Sequence, residues 1–151
     1  NYRMSELTAA VGLAQLKKID YILSETTKNK YKLKNLIKVH PDIEMRDFHD
    51  EGGAQGDTII FSLKNSDLAI DLEKKLLAAG FGTKILPEAL DWHFAGVWNH
   101  VFTEKSLGDL EVEFKESGEL LRRSICLNIP VKMTDSSINK IAQVINTFVS
   151  S

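Results

Sequence analysis

Apolar residues in the first part of the chain recur at three- and four-residue intervals, and beyond residue 41 the period changes. Leu7, Ala10, Val11, Ala14, Leu16 and Ile19, continued by Leu23, Leu33, Leu36 and Ile37, form one stripe, the spacing that puts side chains on one side of a helix. The pattern predicts a helix from Leu7 to about Val39. Ser5 is its expected N-cap, because a serine hydroxyl accepts first-turn N–H groups, and Glu6 sits at the positive end of the dipole. Pro41 stops the helix, since the residue before a proline, here His40, is pushed out of the helical region. So long a helix is expected to hide a break, and Ser24-Glu25-Thr26-Thr27 is the weakest stretch, being β-branched or prone to bond its own backbone. Ala9, Ala10, Gly12 and Ala14 crowd one part of the stripe. Their small side chains let another backbone come close, so this face is expected to pack against protein.

Past Pro41 the alternation is mostly of strand type. Ile43 to Phe48 alternates apolar and polar positions, and Asp57 to Leu63 is β-branched and aromatic between turn formers. The glycine-rich stretch Glu51 to Gly56 between them lacks the Lys-Ser/Thr ending of a phosphate loop and precedes a strand, so it reads as a flexible connection. Ser66 is the expected cap of a helix from Asp67 to Ala79, closed by Gly80 at the position that favours a left-handed residue. A short strand from Phe81 to Leu86 follows. Leu110 to Arg123 reads as a helix with Leu110, Phe114, Leu120 and Leu121 inward, Ser124 to Pro130 as a strand, and Thr134 as the cap of a final helix through Ile138, Ile141, Ile145 and Phe148. The implied fold class is α/β (α+β): a long N-terminal helix leading into a small sheet of about three to four strands backed by helices. Residues 1–40 form the helical lead and 41–151 the small domain.

Composition narrows the function classes. The chain has 151 residues, 43% hydrophobic and 26% charged, with a net charge of −2, which fits an ordinary globular domain with no global pull toward nucleic acid or an anionic membrane. No apolar run approaches a membrane span. Cys126 is the single cysteine, so an internal disulfide is excluded, and its apolar neighbours point to an inert buried thiol. These features fit the cytoplasm. Lys28, Lys30, Lys32, Lys34 and Lys38 could suggest a phosphate or nucleic-acid patch, but nothing base-reading accompanies them and a solvated helix face is the simpler reading.

Chemistry-bearing residues concentrate between Pro87 and Glu104: Glu88, Asp91, Trp92, His93, Trp98, Asn99 and His100. One reading is a binding loop carried by a rigid scaffold. The other is an aromatic mini-cluster of Trp92, Phe94, Val97 and Trp98 covering the sheet. His93 and His100 have no third ligand nearby in the sequence, so no metal site is expected.

The opening Asn1-Tyr2-Arg3-Met4-Ser5-Glu6-Leu7, then Ala9-Ala10-Val11-Gly12-Leu13-Ala14-Gln15-Leu16, Ala79-Gly80-Phe81-Gly82-Thr83 and Leu127-Asn128-Ile129-Pro130 resemble the C-terminal part of the DegT/DnrJ/EryC1/StrS aminotransferases. These are pyridoxal-phosphate enzymes that aminate keto-sugars. The resemblance implies the small domain of a fold-type I aminotransferase, a homodimer, a large N-terminal domain as partner, and an amino acid donor and keto-sugar as small-molecule substrates. It implies that Asn1 donates to the cofactor phosphate of the partner subunit, that Arg3 positions an acidic substrate group or an interface carboxylate, and that Trp92 and His93 lie near the substrate. The wording from Leu86 to Gly96 resembles the subgroup acting on an octulosonate, which implies a free acidic sugar rather than a nucleotide-linked one. The lysine that forms the Schiff base with pyridoxal 5'-phosphate, and the aspartate that pairs with its pyridine nitrogen, belong upstream of the opening motif in such enzymes. The chain therefore reads as a C-terminal fragment, with no catalytic residue of its own, no bound cofactor and no transaminase activity. The alternative is a stand-alone binding or dimerisation module, built on the small-residue helix face and the tryptophan-histidine loop.

Overall fold

The computed structural model describes residues 3–85 and 93–150. The elements run α1 (Glu6–Leu16), α2 (Ile19–Leu36), β1 (Ile43–Met45), β2 (Thr58–Leu63), α3 (Ser66–Ala78), β3 (Thr83–Lys84), a 3-10 turn at Ala95–Val97, α4 (Leu107–Glu113), α5 (Lys115–Arg122), β4 (Ser124–Asn128) and α6 (Asp135–Val149). One four-stranded sheet in the order β1-β2-β4-β3 results, with every neighbouring pair antiparallel. The expected class, helices backing a small sheet, is the one found. Because β4 enters between β2 and β3, the strand–helix–strand unit β2–α3–β3 is split by a strand arriving much later in the chain.

Alternation along the two central strands decides which face is covered. Ile59, Phe61 and Leu63 of β2 and Ile125 and Leu127 of β4 are buried in one cluster with Leu33 and Ile37, with Leu72 and Leu76 of α3, and with Ile138, Ile141 and Ile145 of α6. Deleting one of these leucines or isoleucines to alanine typically costs about 2–5 kcal/mol, so this face supplies most of the fold's stability. The opposite face carries Thr58, Ile60 and Ser62 against Asn128, Cys126 and Ser124 and, among the described residues, has no such cluster.

The long helical lead breaks, but not where its composition is weakest. Lys18 N–H donates to the Gln15 carbonyl at 2.8 Å, a tightened last turn, and Lys18 (φ −108°, ψ 2°) separates α1 from α2. Ser24 to Thr27 stays helical with its hydroxyls bonded back inside the helix: Thr26 Oγ1 donates to the Ile22 carbonyl at 2.8 Å and Ser24 Oγ to the Tyr21 carbonyl at 3.0 Å. The helix also ends earlier than expected, at Leu36. Its end is held by α6, where Asn146 accepts from the Lys38 N–H at 2.8 Å and donates to the Leu36 carbonyl at 2.9 Å. Ser5 caps α1 as expected, accepting from the Thr8 N–H at 3.2 Å. Yet α1 has no buried residue, and its small-residue face meets no other part of the described chain: a Cβ built at Gly12 would find nothing within 4 Å.

Other boundaries shift for local reasons. Asn65, not Ser66, caps α3, its side chain accepting from the Leu68 N–H at 2.9 Å, while Gly80 closes that helix at φ +93° as its position demanded. The expected helix from Leu110 to Arg123 starts earlier and divides. A capping box joins Ser106 and Asp109 at its start, and Phe114 (φ −103°, ψ 22°) separates α4 from α5. The rotation at Phe114 leaves Leu120 47% exposed instead of inward.

The glycine-rich connection between β1 and β2 is docked rather than loose. Gly56 is buried against α2, and a Cβ there would lie 2.2 Å from the Thr27 backbone nitrogen. Helix backbone cannot yield cheaply, so Gly56→Ala is expected to destabilise by about 1–3 kcal/mol through overpacking. Gly82→Ala, where no atom lies within 4 Å, should change stability by less than about 0.5 kcal/mol. Urea unfolding midpoints of the two variants check the contrast.

Candidate functional site

Phe94 lies outside the main core, buried in a smaller cluster beside Leu110, which is also fully enclosed. Its ring meets Phe114 edge-on, centroids 6.5 Å apart at 74°, and Phe102 packs on Phe114 at 6.3 Å. Of the expected aromatic cluster, Trp92 lies outside the described residues; among those described, Phe94, Phe102 and Phe114 are in contact, and Val97 and Trp98 are half-buried. His93, next to the anchored Phe94, is exposed.

A second concentration of chemistry surrounds Lys30, which the solvated-face reading of the lysine run missed. Thr26, Asn29, Lys30, Leu33 and Ile37 are the buried residues of this helical stretch, a three- and four-residue spacing that was visible in the sequence. Lys30 Nζ donates to the Gln55 carbonyl at 3.0 Å and lies 4.5 Å above the Phe48 ring centroid. Burial holds its pKa below the usual lysine value, against the pull of Asp57. Three others of the run are paired: Lys28 with Glu25 at 3.7 Å, Lys32 with Asp135 at 2.6 Å and Lys34 with Glu51 at 3.0 Å. An open cleft of about 590 Å³ adjoins Lys30, lined also by Arg46, Phe48, His49, Gln55 and Asp57. Its charges are mixed in sign, so it selects for neither anions nor cations.

The opposite sheet face carries a groove of about 490 Å³ between β1 and α5, lined by Glu44, Ile60, Ser62, Leu120, Leu121 and Arg123. Arg123 donates to Ser62 Oγ at 3.0 Å and to the Leu63 carbonyl at 2.9 Å. Cys126 is half-buried on the same face, and burial pushes its thiol pKa up, with Lys84 pulling the other way. A raised pKa keeps the sulfur protonated and unreactive.

Of the residues singled out in the sequence, Asn1 and Trp92 lie outside the described residues, as do Glu88 and Asp91. Arg3 is exposed ahead of α1, and His93 is exposed just before Phe94. Among the described residues no group of three His, Cys, Asp or Glu is placed to hold a metal ion, and no helix is long and apolar enough to cross a membrane.

The described residues also do not fit pyridoxal phosphate by themselves. The one buried lysine is engaged by a backbone carbonyl, and the glycine-rich connection turns its Gly52 N–H onto Asp50 at 2.9 Å rather than toward a phosphate.

The fold defines a class: a small antiparallel α+β domain led in by a helix that its own core leaves bare. The sequence matches the DegT/DnrJ/EryC1/StrS aminotransferase family over residues 1–146, and the chain belongs to that family, whose members are pyridoxal-phosphate-dependent sugar aminotransferases. Similar solved structures include the PMP form of Spr1654 from Streptococcus pneumoniae, described as a sugar aminotransferase, at 13% identity and TM-score 0.76, covering 98% of this chain and 36% of that one. PseC of Helicobacter pylori, an aminotransferase of pseudaminic acid biosynthesis, is 14% identical with TM-score 0.71, covering 99% and 38%. A GDP-4-keto-6-deoxymannose-3-dehydratase with a trapped PLP-glutamate geminal diamine is 18% identical with TM-score 0.67, covering 96% and 36%. At such identities the likeness is one of fold, and the chain spans little more than a third of each.

The connection docked beside the Lys30 cleft has a pH signature. Lys34 and Tyr31 both donate to Glu51, at 3.0 and 3.1 Å, and hold its carboxyl below the usual carboxylate range. A carboxylate with a depressed folded pKa adds stability that is fully present above its unfolded value, about 4.3, and is lost as pH falls through the lower folded value. A gap in urea midpoint between the wild type and Glu51→Gln should therefore be open near neutral pH and close as the pH drops below about 4. An unchanging gap would assign the effect to packing instead.

Proposed function

We propose that this chain is the C-terminal part of a pyridoxal-phosphate-dependent aminotransferase that moves an amino group from an amino acid to a keto-sugar, nucleotide-linked or octulosonate-type. The observation that carries the reading is the family match across residues 1–146, joined to a span of only 36–38% of Spr1654 and PseC. In this reading Asn1 donates its amide to the cofactor phosphate of a partner subunit, a neutral donor added to a charged cradle. Arg3 holds an acidic substrate group or an interface carboxylate, and Trp92 and His93 approach the sugar. The bare helix suits a large domain and a second subunit as its cover: Leu7 is 77% exposed and Leu16 65%, more apolar surface than one helix ordinarily leaves to water.

The covalent work of such an enzyme needs a lysine in a pocket built for it. None of the described residues supplies that setting, and the chain alone is proposed to be inactive. Borohydride reduction after incubation with pyridoxal phosphate, followed by peptide mass spectrometry, tests this on the chain and on the protein extended by its upstream sequence. The extended protein should carry one stoichiometric adduct on an upstream lysine, and this chain only scattered substoichiometric ones. A stoichiometric adduct on one lysine of this chain, Lys30 being the buried one, would overturn the assignment.

A further inference from the structure

The two faces of the sheet are built for different contacts. The face toward α2, α3 and α6 carries the apolar cluster. On the opposite face the strands bring three cross-strand rows together: Glu44, Ser62 and Ser124; Ile60, Cys126 and Lys84; Thr58 and Asn128. Arg46, whose N–H donates to the Ile60 carbonyl at 3.0 Å, continues the middle row past β1. Apart from Ile60 these side chains are small or polar. A sheet face without an apolar set has little to bury against a further layer.

Lys84 is placed on that face by its neighbours in the chain. Thr83 turns the other way, its hydroxyl donating to Glu73 of α3 at 2.9 Å, and Ile85 is buried in the main cluster. Successive side chains of a strand alternate, so the Lys84 stem leaves on the opposite side, beside its cross-strand partner Cys126. The thiol feels the ammonium: Lys84 is the charge acting most strongly on it, with Arg46 in the same sense and Asp57 against. Other charges of this face are answered. Glu44 lies 3.7 Å from Arg123, which also donates to Ser62 and Leu63, and Arg46 sits over the Phe48 ring at 5.2 Å. Lys84 is exposed, and among the described residues nothing accepts from its ammonium. An edge lysine can also blunt strand pairing, but β3 is two residues long, already too short to template another strand.

We infer that Lys84 is a contact for an oxyanion of the keto-sugar, the carboxylate of an octulosonate-type sugar or the phosphates of a nucleotide-linked one. The inference rests on the reading above that a keto-sugar is the acceptor, and deepens it by naming a residue that selects for its charge. Both acceptor classes are anions. The two bare surfaces of the chain differ accordingly: α1 is apolar and suits protein as its cover, while a polar face with an unanswered ammonium suits a charged ligand. A charge-assisted hydrogen bond formed there strengthens once the completed enzyme shields it from water.

The test uses the full-length protein loaded with cofactor, with the two half-reactions read from cofactor absorbance. L-glutamate is the donor probe. The acceptor probes are an octulosonate-type keto-sugar and its methyl ester, and a nucleotide-linked keto-sugar and the same sugar without its nucleotide. Lys84→Met keeps the length of the stem and removes the charge. It should raise KM about tenfold for the anionic acceptor that the wild type uses and weaken the salt dependence of that KM. Its melting temperature should be unchanged and its glutamate half-reaction within about twofold of wild type. The neutral counterpart should serve wild type and variant alike, and Lys84→Arg, which keeps the charge, should restore most of the loss. The acceptor that shows the change identifies the oxyanion as carboxylate or phosphate. An unchanged KM, an equal rise for the neutral counterpart, or a matching loss in the glutamate half-reaction would overturn the inference. A wild-type protein that accepts no keto-sugar would instead overturn the substrate reading.

Discussion

Covering one face of a small antiparallel sheet is the constraint from which the rest of this structure follows. Ile59, Phe61, Leu63, Ile125 and Leu127 point to one side and require helices there, and α2, α3 and α6 supply them. The buried residues of α2 begin at Thr26 and run through Asn29, Lys30 and Leu33. α1, although rich in apolar residues, contributes no buried residue to the core. Asn29 secures the joint, donating to the Pro130 and Val131 carbonyls at 3.1 and 3.2 Å, each such neutral bond being worth about 1 kcal/mol net. Asn146 does the same at the other end of the helix.

Much of this was legible in the residues. The strand of Asp57 to Leu63, the final helix and the Gly80 closure follow from local chemistry that tertiary contacts did not override. What was not legible depended on partners distant in sequence. Ser24 to Thr27 looked like a break, but a hydroxyl that lowers propensity in isolation can also bond back within the helix, and the connection ending at Gly56 packs on this stretch. The break went to Lys17–Lys18, where two adjacent lysines meet the negative end of the α1 dipole. Lys30 was hidden by its charge. Its position in the stripe said buried, while its residue type said exposed, and the Gln55 carbonyl that reconciles the two is 25 residues away.

Composition marked the stretch from Pro87 to Glu104 as aromatic, but not which ring it buries: Phe94 lies against Gly96 and Gly118, one of which had looked only like a weak point in a helix. The octulosonate-like wording from Leu86 to Gly96 falls largely on residues 86–92, outside those described. Asn1 lies outside the described residues, and Arg3 is exposed ahead of α1, so the opening motif is marked by its resemblance and not by burial in this core.

The central claim is that the core folds on α2, α3, α6 and the sheet, and that α1 is an arm it does not use. Amide hydrogen exchange on this chain tests it most directly. Amides of β2, β4 and α6 should exchange only through global unfolding, while those of Leu7 to Leu16 should exchange by local fraying at far lower protection. Protection of α1 equal to that of β2 and β4 would contradict the account.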